Sequence, residues 1–413
     1  MKKTPPEPSR SRLKKGLVRF LPGKRTAQTL VEAANHVKDR YIPPLFLVEG
    51  DAISVFSTAC SADPDNVYMT RTDVPVVNST GVRVAGKVDE LSAEILKTTR
   101  PSAIQFDGSK VFILREDGEV AEGVGGAGIT TSDDPAALWN ERVAPLEEVG
   151  HLPTPLLRGL IDMMQPFVGE DETRSQIGWA PVEVSPGLVQ GVATNGHILV
   201  VRRLRSPLIT ATKVEKFGIP RKAMRALTRF QEPTTYLLKN PARDSMTWMA
   251  RCGGQNVFMS HVDSFPPYDA LLPSATGEYI GFDMSAPLLR STVAEVVTQA
   301  AKTEKSSVVL DVNNGVLTIN IGDTALRWTI PIEWTKGDLE PFHSVVGVRY
   351  LSQVVRSITE NAVTTRIERA SSSRSNDPEL SPLYVRDVPF GDLFDQEDTD
   401  PNDAVTALMP MRA

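Results

Sequence analysis

Helical periodicity returns three times along the chain at nearly one interval, and no other feature narrows the possible folds as much. Amphipathic stretches with N-terminal caps run from Thr26 to Arg40, from Thr154-Pro155 to Val168 and from Ser285-Ala286-Pro287 to Lys302. A second set of shorter stretches runs from Asp89 to Thr98, from Pro220 to Phe230 and from Tyr350 to Ile358. Between the helices lie strand pairs with turn signals: Leu45–Val48 with Ile53–Phe56, Ala103–Phe106 with Val111–Leu114, and Val308–Val312 with Val316–Ile321 about Asn313-Asn314-Gly315. A unit of roughly 130 residues is too long for a solenoid repeat and has the size of an ordinary domain. The expectation is an α+β chain of three similar sheet-and-helix domains, 18–145, 146–274 and 275–413, preceded by an arm over 1–17.

The arm carries Lys2, Lys3, Arg10, Arg12, Lys14 and Lys15 among Pro and Ser, opposed only by Glu7, and reads as a disordered basic tail. The chain as a whole is acidic, with 45 Lys and Arg against 51 Asp and Glu and a net charge of −6. That balance excludes a uniformly basic nucleic-acid binder but leaves room for one basic surface. Cys60 and Cys252 are far apart and in no zinc-ligand spacing, so neither a disulfide framework nor a structural metal is expected. No apolar run approaches the ~20 residues that span a bilayer. A cytoplasmic protein with no membrane partner is the expectation.

Four short motifs then occur in order. Gly191-Val-Ala-Thr-Asn-Gly-His-Ile-Leu199 is followed by Ile219-Pro-Arg-Lys222, by Phe265-Pro-Pro-Tyr-Asp-Ala-Leu-Leu-Pro273 and by Leu408-Met-Pro-Met-Arg412. Together they resemble the signature segments of the bacterial DNA polymerase III β subunit, the β sliding clamp, of which this chain is similar to a divergent member. More faintly, the resemblance extends over nearly the whole chain from about Thr26, including Leu152–Ile161 and Gly86–Leu91. It implies the DNA clamp fold, a homodimeric ring, and nucleoid-associated work as a processivity factor in DNA replication. The ring would encircle duplex DNA without reading sequence, tether the polymerase catalytic subunit, and be placed by a clamp loader, with no cofactor.

By the same resemblance the short helices line the central hole. Arg221, Arg225 and Arg229 recur every four residues beside Lys222, opposite Met224, Leu227 and Phe230. Arg349 and Arg356 lie seven apart, and Arg40, Arg158, Arg290 and Lys302 add charge on the longer helices. Lys97 and Arg100 belong to the first repeat, where Glu90 and Glu94 weaken the pattern. Such cations suit phosphates; on any one helix they equally suit a solvated face. A partner-peptide groove is implied at Thr194, Gly196, His197, Leu199, Pro266, Leu271, Leu383, Leu408, Met409, Pro410 and Met411. Pro410 cannot donate to a ladder, which favours an edge position for the closing run.

Departures from the family pattern are Asn195 for Asp, Ile198 and Ala270 for Arg, and Ala413 for Leu, so the peptide surface should differ in detail. An acidic insertion is expected over about 370–403, within which Leu393 and Phe394 resemble the ending of docking peptides and could fold back on the groove; a disordered acidic loop is the plainer reading. His197 has neither a nucleophile nor metal-spaced partners, and no P-loop, Rossmann fingerprint or HExxH occurs, so no enzyme is read. Two rivals remain: a metal-dependent nuclease, and a clamp-like adaptor or decoy that binds replication proteins without encircling DNA.

Overall fold

Alternation of apolar residues on short strands, closed by turns that need a positive φ, builds most of the described residues. Glu49 pairs with Ala52 across Gly50-Asp51, and Asn313 with Val316 across Asn314-Gly315. Gly50, Asn314 and Gly315 have φ of 56°, 49° and 75°, the left-handed geometry that two-residue hairpin turns demand and that Gly and Asn tolerate. The computed structural model describes residues 16–21, 26–34, 44–60, 67–81, 84–87, 101–107, 110–115, 135–169, 175–240, 247–260, 265–268, 272, 279–336, 342–358, 362–370, 382–386 and 404–408. Contacts divide the chain into two compact units: Met1–Glu148 with Arg229–Glu232 and Tyr236–Ser260, and Val149–Thr228 with Pro233–Thr235 and His261–Ala413.

In the first unit, antiparallel strands present different residues to two layers. One face buries Val18, Phe46, Val48, Ile53, Val55, Val74, Ile104 and Ile113 beneath Leu30 and Val31 of the Thr26–Ala34 helix. The other buries Leu47, Phe56, Met69, Met249 and Phe258 beneath the Pro135–Val143 helix. There the Trp139 ring meets Phe56 edge-on at 6.2 Å. Gln255–Ser260, which the sequence places in the middle repeat, pairs with Val67–Val77 of the first, so this sheet runs through a repeat boundary.

The second unit is built on a nine-stranded antiparallel sheet. Its order is Glu215–Pro220, Trp179–Ser185, Leu188–Thr194, Ile198–Arg205, Ala404–Leu408, Leu383–Arg386, Thr364–Ala370, Tyr279–Ser285 and Glu333–Lys336. One sequence expectation changes here. The stretch 370–403 is not one continuous insertion, because Leu383–Arg386 inside it forms a strand paired on both sides. Ala404–Leu408 lies between Ile198–Arg205 and Leu383–Arg386, while Pro410, on which the edge expectation for the closing run rests, lies outside the described residues. A separate four-stranded sheet orders Arg327–Pro331, Val316–Asn320, Ser307–Asn313 and Phe342–Gly347.

Helices pack on these sheets by their apolar stripes. In Thr154–Met164, with Pro155 in its first turn, Leu157, Leu160, Ile161 and Met164 are buried at the i, i+3, i+4, i+7 spacing. A Cβ on Gly191 would lie 2.3 Å from Met164 Sδ, so the sheet lets this helix approach only because the residue below it is glycine. Ala286–Lys302 begins at Ser285, whose Oγ accepts from the Leu288 amide at 3.4 Å, and buries Leu289, Val293, Val296 and Ala300. Two shorter helices, Arg221–Leu227 and Val348–Ser357, pack against Thr154–Met164 and Ala286–Lys302 respectively. The helix expected over Asp89–Thr98 lies outside the described residues.

Candidate nucleic-acid interface and peptide site

The turn between Thr194 and Ile198 is held almost entirely by its own side chains. Asn195 Oδ1 accepts from the amides of His197 (3.0 Å) and Ile198 (2.9 Å), Thr194 Oγ1 donates to the Ile198 carbonyl (2.7 Å), and the Gly196 amide donates back to Thr194 Oγ1 (3.1 Å). Gly196 supplies the required φ of 88°. An asparagine oxygen therefore does here what a carboxylate would. Beside the turn the exposed His197 ring stacks on Tyr350, with centroids 4.3 Å apart and planes at 19°.

Strand register brings the groove residues to this end of the sheet. Ile198 lies opposite Leu408, and Leu408 opposite Leu383; one residue further in, Thr194, Leu199, Ala407 and Tyr384 form the next row. Successive rows face opposite sides. The second row belongs to an apolar cluster of Val192, Leu199, Val201, Tyr384, Val405 and Ala407, on which Phe265, Tyr268 and Leu272 pack. That connecting segment is anchored by Phe265 edge-on to Trp179 at 5.4 Å, and by Gln190 Nε2, which donates to the Tyr268 hydroxyl at 3.3 Å while its Oε1 accepts from Arg203 at 2.7 Å. Pro266 is half-buried within it.

The basic residues divide into two groups. Arg158, Lys222, Arg225, Lys302, Arg349 and Arg356 are exposed. Arg221 instead turns its guanidinium inward, where Nη1 donates to the carbonyls of Gln165 (3.1 Å) and Val168 (2.5 Å), and Arg290 Nη2 donates to the Ala362 carbonyl at 3.5 Å. Arg229 falls beyond the helix, which ends at Leu227, and is half-buried with Nη1 donating to the Glu32 carbonyl at 3.5 Å. Near Arg229, burial drives the Tyr68 phenol well above the usual tyrosine range, with the Arg229 cation pulling it the other way. Among the described residues no three His, Cys, Asp or Glu side chains gather as a metal site, and no helix is long and apolar enough to cross a membrane.

No protein-family model and no curated protein matches this sequence. Solved structures do. The DNA polymerase sliding clamp of Pseudomonas aeruginosa superposes with a TM-score of 0.68 at 17% identity, over 97% of this chain and 99% of that one. A Caulobacter crescentus β sliding clamp gives 0.69 at 21% identity, over 97% and 100%. The Thermotoga maritima DNA polymerase III β subunit gives 0.68 at 15%, over 97% and 99%. The chain has the sliding-clamp fold.

Within this clamp fold, the site expected from sequence is reached in part. Thr194, Gly196, His197, Leu199, Leu383 and Leu408 come together at one end of adjacent strands, but by alternation Leu383 and Leu408 share the face opposite Leu199. Ile198, which stands where the family pattern has Arg, is fully buried on that same face. Three neighbours lie outside the sequence motifs. Tyr350 meets His197 from a helix more than 150 residues away, which no local pattern signals, whereas Ala407 and Tyr384 follow from alternation once the register with Leu199 is known. Leu271, Met409, Pro410, Met411, Arg40, Lys97, Arg100, Leu393 and Phe394 lie outside the described residues.

Proposed function

We propose that this protein is a sliding clamp: a homodimeric ring that encircles duplex DNA and holds a polymerase and other partners on it, without catalysis of its own. The observation that carries this reading is the end-to-end likeness to sliding clamps, which spans 97% of the chain and at least 99% of the three described neighbours. The 18–145, 146–274 and 275–413 repeats are then the three segments each subunit contributes. Exposed Lys222, Arg225, Arg349 and Arg356 on the short helices and Arg158 and Lys302 on the long ones are suited to phosphates, which they would contact without reading bases. Weak contacts serve such a ring, since retention comes from topology and the gain for a tethered partner is effective concentration. Lys110–Arg115 and Arg327–Pro331 each end a sheet among the described residues, and open edges of this kind would let two copies join head to tail. Partner peptides are assigned to the strand ends around Thr194, His197, Leu199 and Pro266, and a clamp loader to opening the ring.

The test is retention on nicked circular DNA after loading with a compatible loader and ATP, before and after the circle is cut. Protein that stays on the circle and runs off the linear form supports the reading; equal, salt-sensitive binding to both forms overturns it. The latter result would favour a clamp-like adaptor that does not encircle DNA, a reading for which the inward-turned Arg221 and Arg290 speak.

A further inference from the structure

The Val348–Ser357 helix is held at both ends by one strand of the central sheet. At its first turn Tyr350 stacks on His197, which immediately precedes the strand Ile198–Arg205. At its last residue the Ser357 carbonyl accepts a hydrogen bond from Nη2 of Arg202, a residue only 2% exposed. Ser357 Oγ also donates to the Val354 carbonyl at 2.6 Å and shares a hydrogen bond with Thr406 Oγ1 at 2.9 Å, from the strand next to Ile198–Arg205. A buried guanidinium is costly away from acceptors, and the C-terminal carbonyls of a helix carry partial negative charge that no intrahelical donor satisfies. Arg202 answers both needs at once.

The two gripped residues are seven apart, and so are the two exposed arginines beside them in sequence, Arg349 next to Tyr350 and Arg356 next to Ser357. Seven residues are two turns, so each pair lies along one side of the helix, and adjacent residues are ~100° apart around it. One side is thus gripped while a neighbouring side presents two cations at a fixed spacing.

We propose that Arg202 and His197 are positioning residues for DNA contact: they touch no phosphate, but hold the helix so that Arg356 and Arg349 do. The inference rests on the clamp reading above and adds residues that surface charge alone would never nominate, one of them buried.

The experiment measures how affinity of the full-length protein for a short labelled duplex depends on salt, where each phosphate contact adds about 0.9 to the slope of log K against log salt. Arg356→Ala should lower the slope by about 0.9. Arg202→Met should lower it equally, and the double variant should fall no further; Arg202→Lys, which keeps a cation at the helix end, should restore part of it. A wild-type slope in Arg202→Met, or a double variant that sums the two losses, overturns the proposal. If Arg202→Met does not fold, His197→Ala, at an exposed side chain, is compared with Arg349→Ala in the same way, and additivity there is equally decisive. Should wild-type protein bind no duplex, or should Arg349→Ala and Arg356→Ala both leave the slope intact, the DNA reading itself fails and this inference falls with it.

Discussion

The helices Arg221–Leu227 and Val348–Ser357 arise from the same sequence pattern, a short basic stripe opposite a short apolar one, yet they are secured in different ways. Arg221 secures its own helix: it bends onto the carbonyls of Gln165 and Val168, at the end of the neighbouring helix, and so gives up its outward role. Val348–Ser357 is secured from outside, by Arg202 and His197, and keeps both its arginines exposed. A cation on a helix can hold the helix or serve a ligand. Which of these it does depends on whether some other group has already met the carbonyls nearby.

That contrast is broken most forcefully at Arg202. Replacing it by Met takes the charged donor from the part-buried Ser357 carbonyl and should cost about 2–3 kcal/mol, as loss of a charge-assisted hydrogen bond does; a urea midpoint equal to wild type would show that the grip contributes nothing. Gly191→Ala tests the seat of the neighbouring helix, where the new methyl meets Met164. Overpacking of this kind should cost about 2 kcal/mol in the same denaturation assay.

Arg221→Ala, at a half-buried side chain, should cost about 1 kcal/mol and leave the salt slope of DNA binding nearly unchanged. Arg356→Ala should do the reverse, staying within about 0.5 kcal/mol of wild type in stability while lowering the slope. If the two behave alike, the distinction between holding and serving is wrong. At the turn, Asn195→Ala should cost about 1 kcal/mol by removing the acceptor for two amides, while Asn195→Asp, which keeps it, should melt within a few degrees of wild type.

The only favourable effect concerns the third arginine of the expected ladder. Tyr68 beside Arg229 is buried with a hydroxyl that finds no hydrogen-bond partner among the described residues. Its phenol titrates higher folded than unfolded, so this group leaves stability independent of pH below about pH 10, the ordinary tyrosine value, and lowers it as pH rises beyond that, where only the unfolded chain ionises readily. Tyr68→Phe should therefore stabilise by about 1 kcal/mol or less at neutral pH and move alkaline unfolding to higher pH. A lower alkaline midpoint would contradict it.

What sequence could reveal was local. Cap and periodicity at Ser285 gave the Ala286–Lys302 helix nearly to the residue, and Asn314-Gly315 announced its hairpin. The helix expected to reach Phe230 stops at Leu227, because no Gly or Pro marks the end and the stop is made by Thr228, whose Oγ1 donates to the Arg225 carbonyl at 3.1 Å. Leu383–Arg386 carries no strand signal inside its acidic stretch because both faces are buried at Leu383, Tyr384 and Val385, which leaves no alternation to read. The grip of Arg202 on Ser357 spans 155 positions, and nothing in either neighbourhood encodes the other.

In chain order the strand Ala404–Leu408 comes after every other strand of the nine-stranded sheet, yet it occupies a central place between Ile198–Arg205 and Leu383–Arg386. On a ribosome, the strands on its two sides must wait with facing edges open until it emerges. Sheet closure is then a late event of long loop closure, slow by the logic of contact order and exposed to mispairing meanwhile. The interval in which a nascent chain of this kind most needs chaperone protection is the one just before that strand appears.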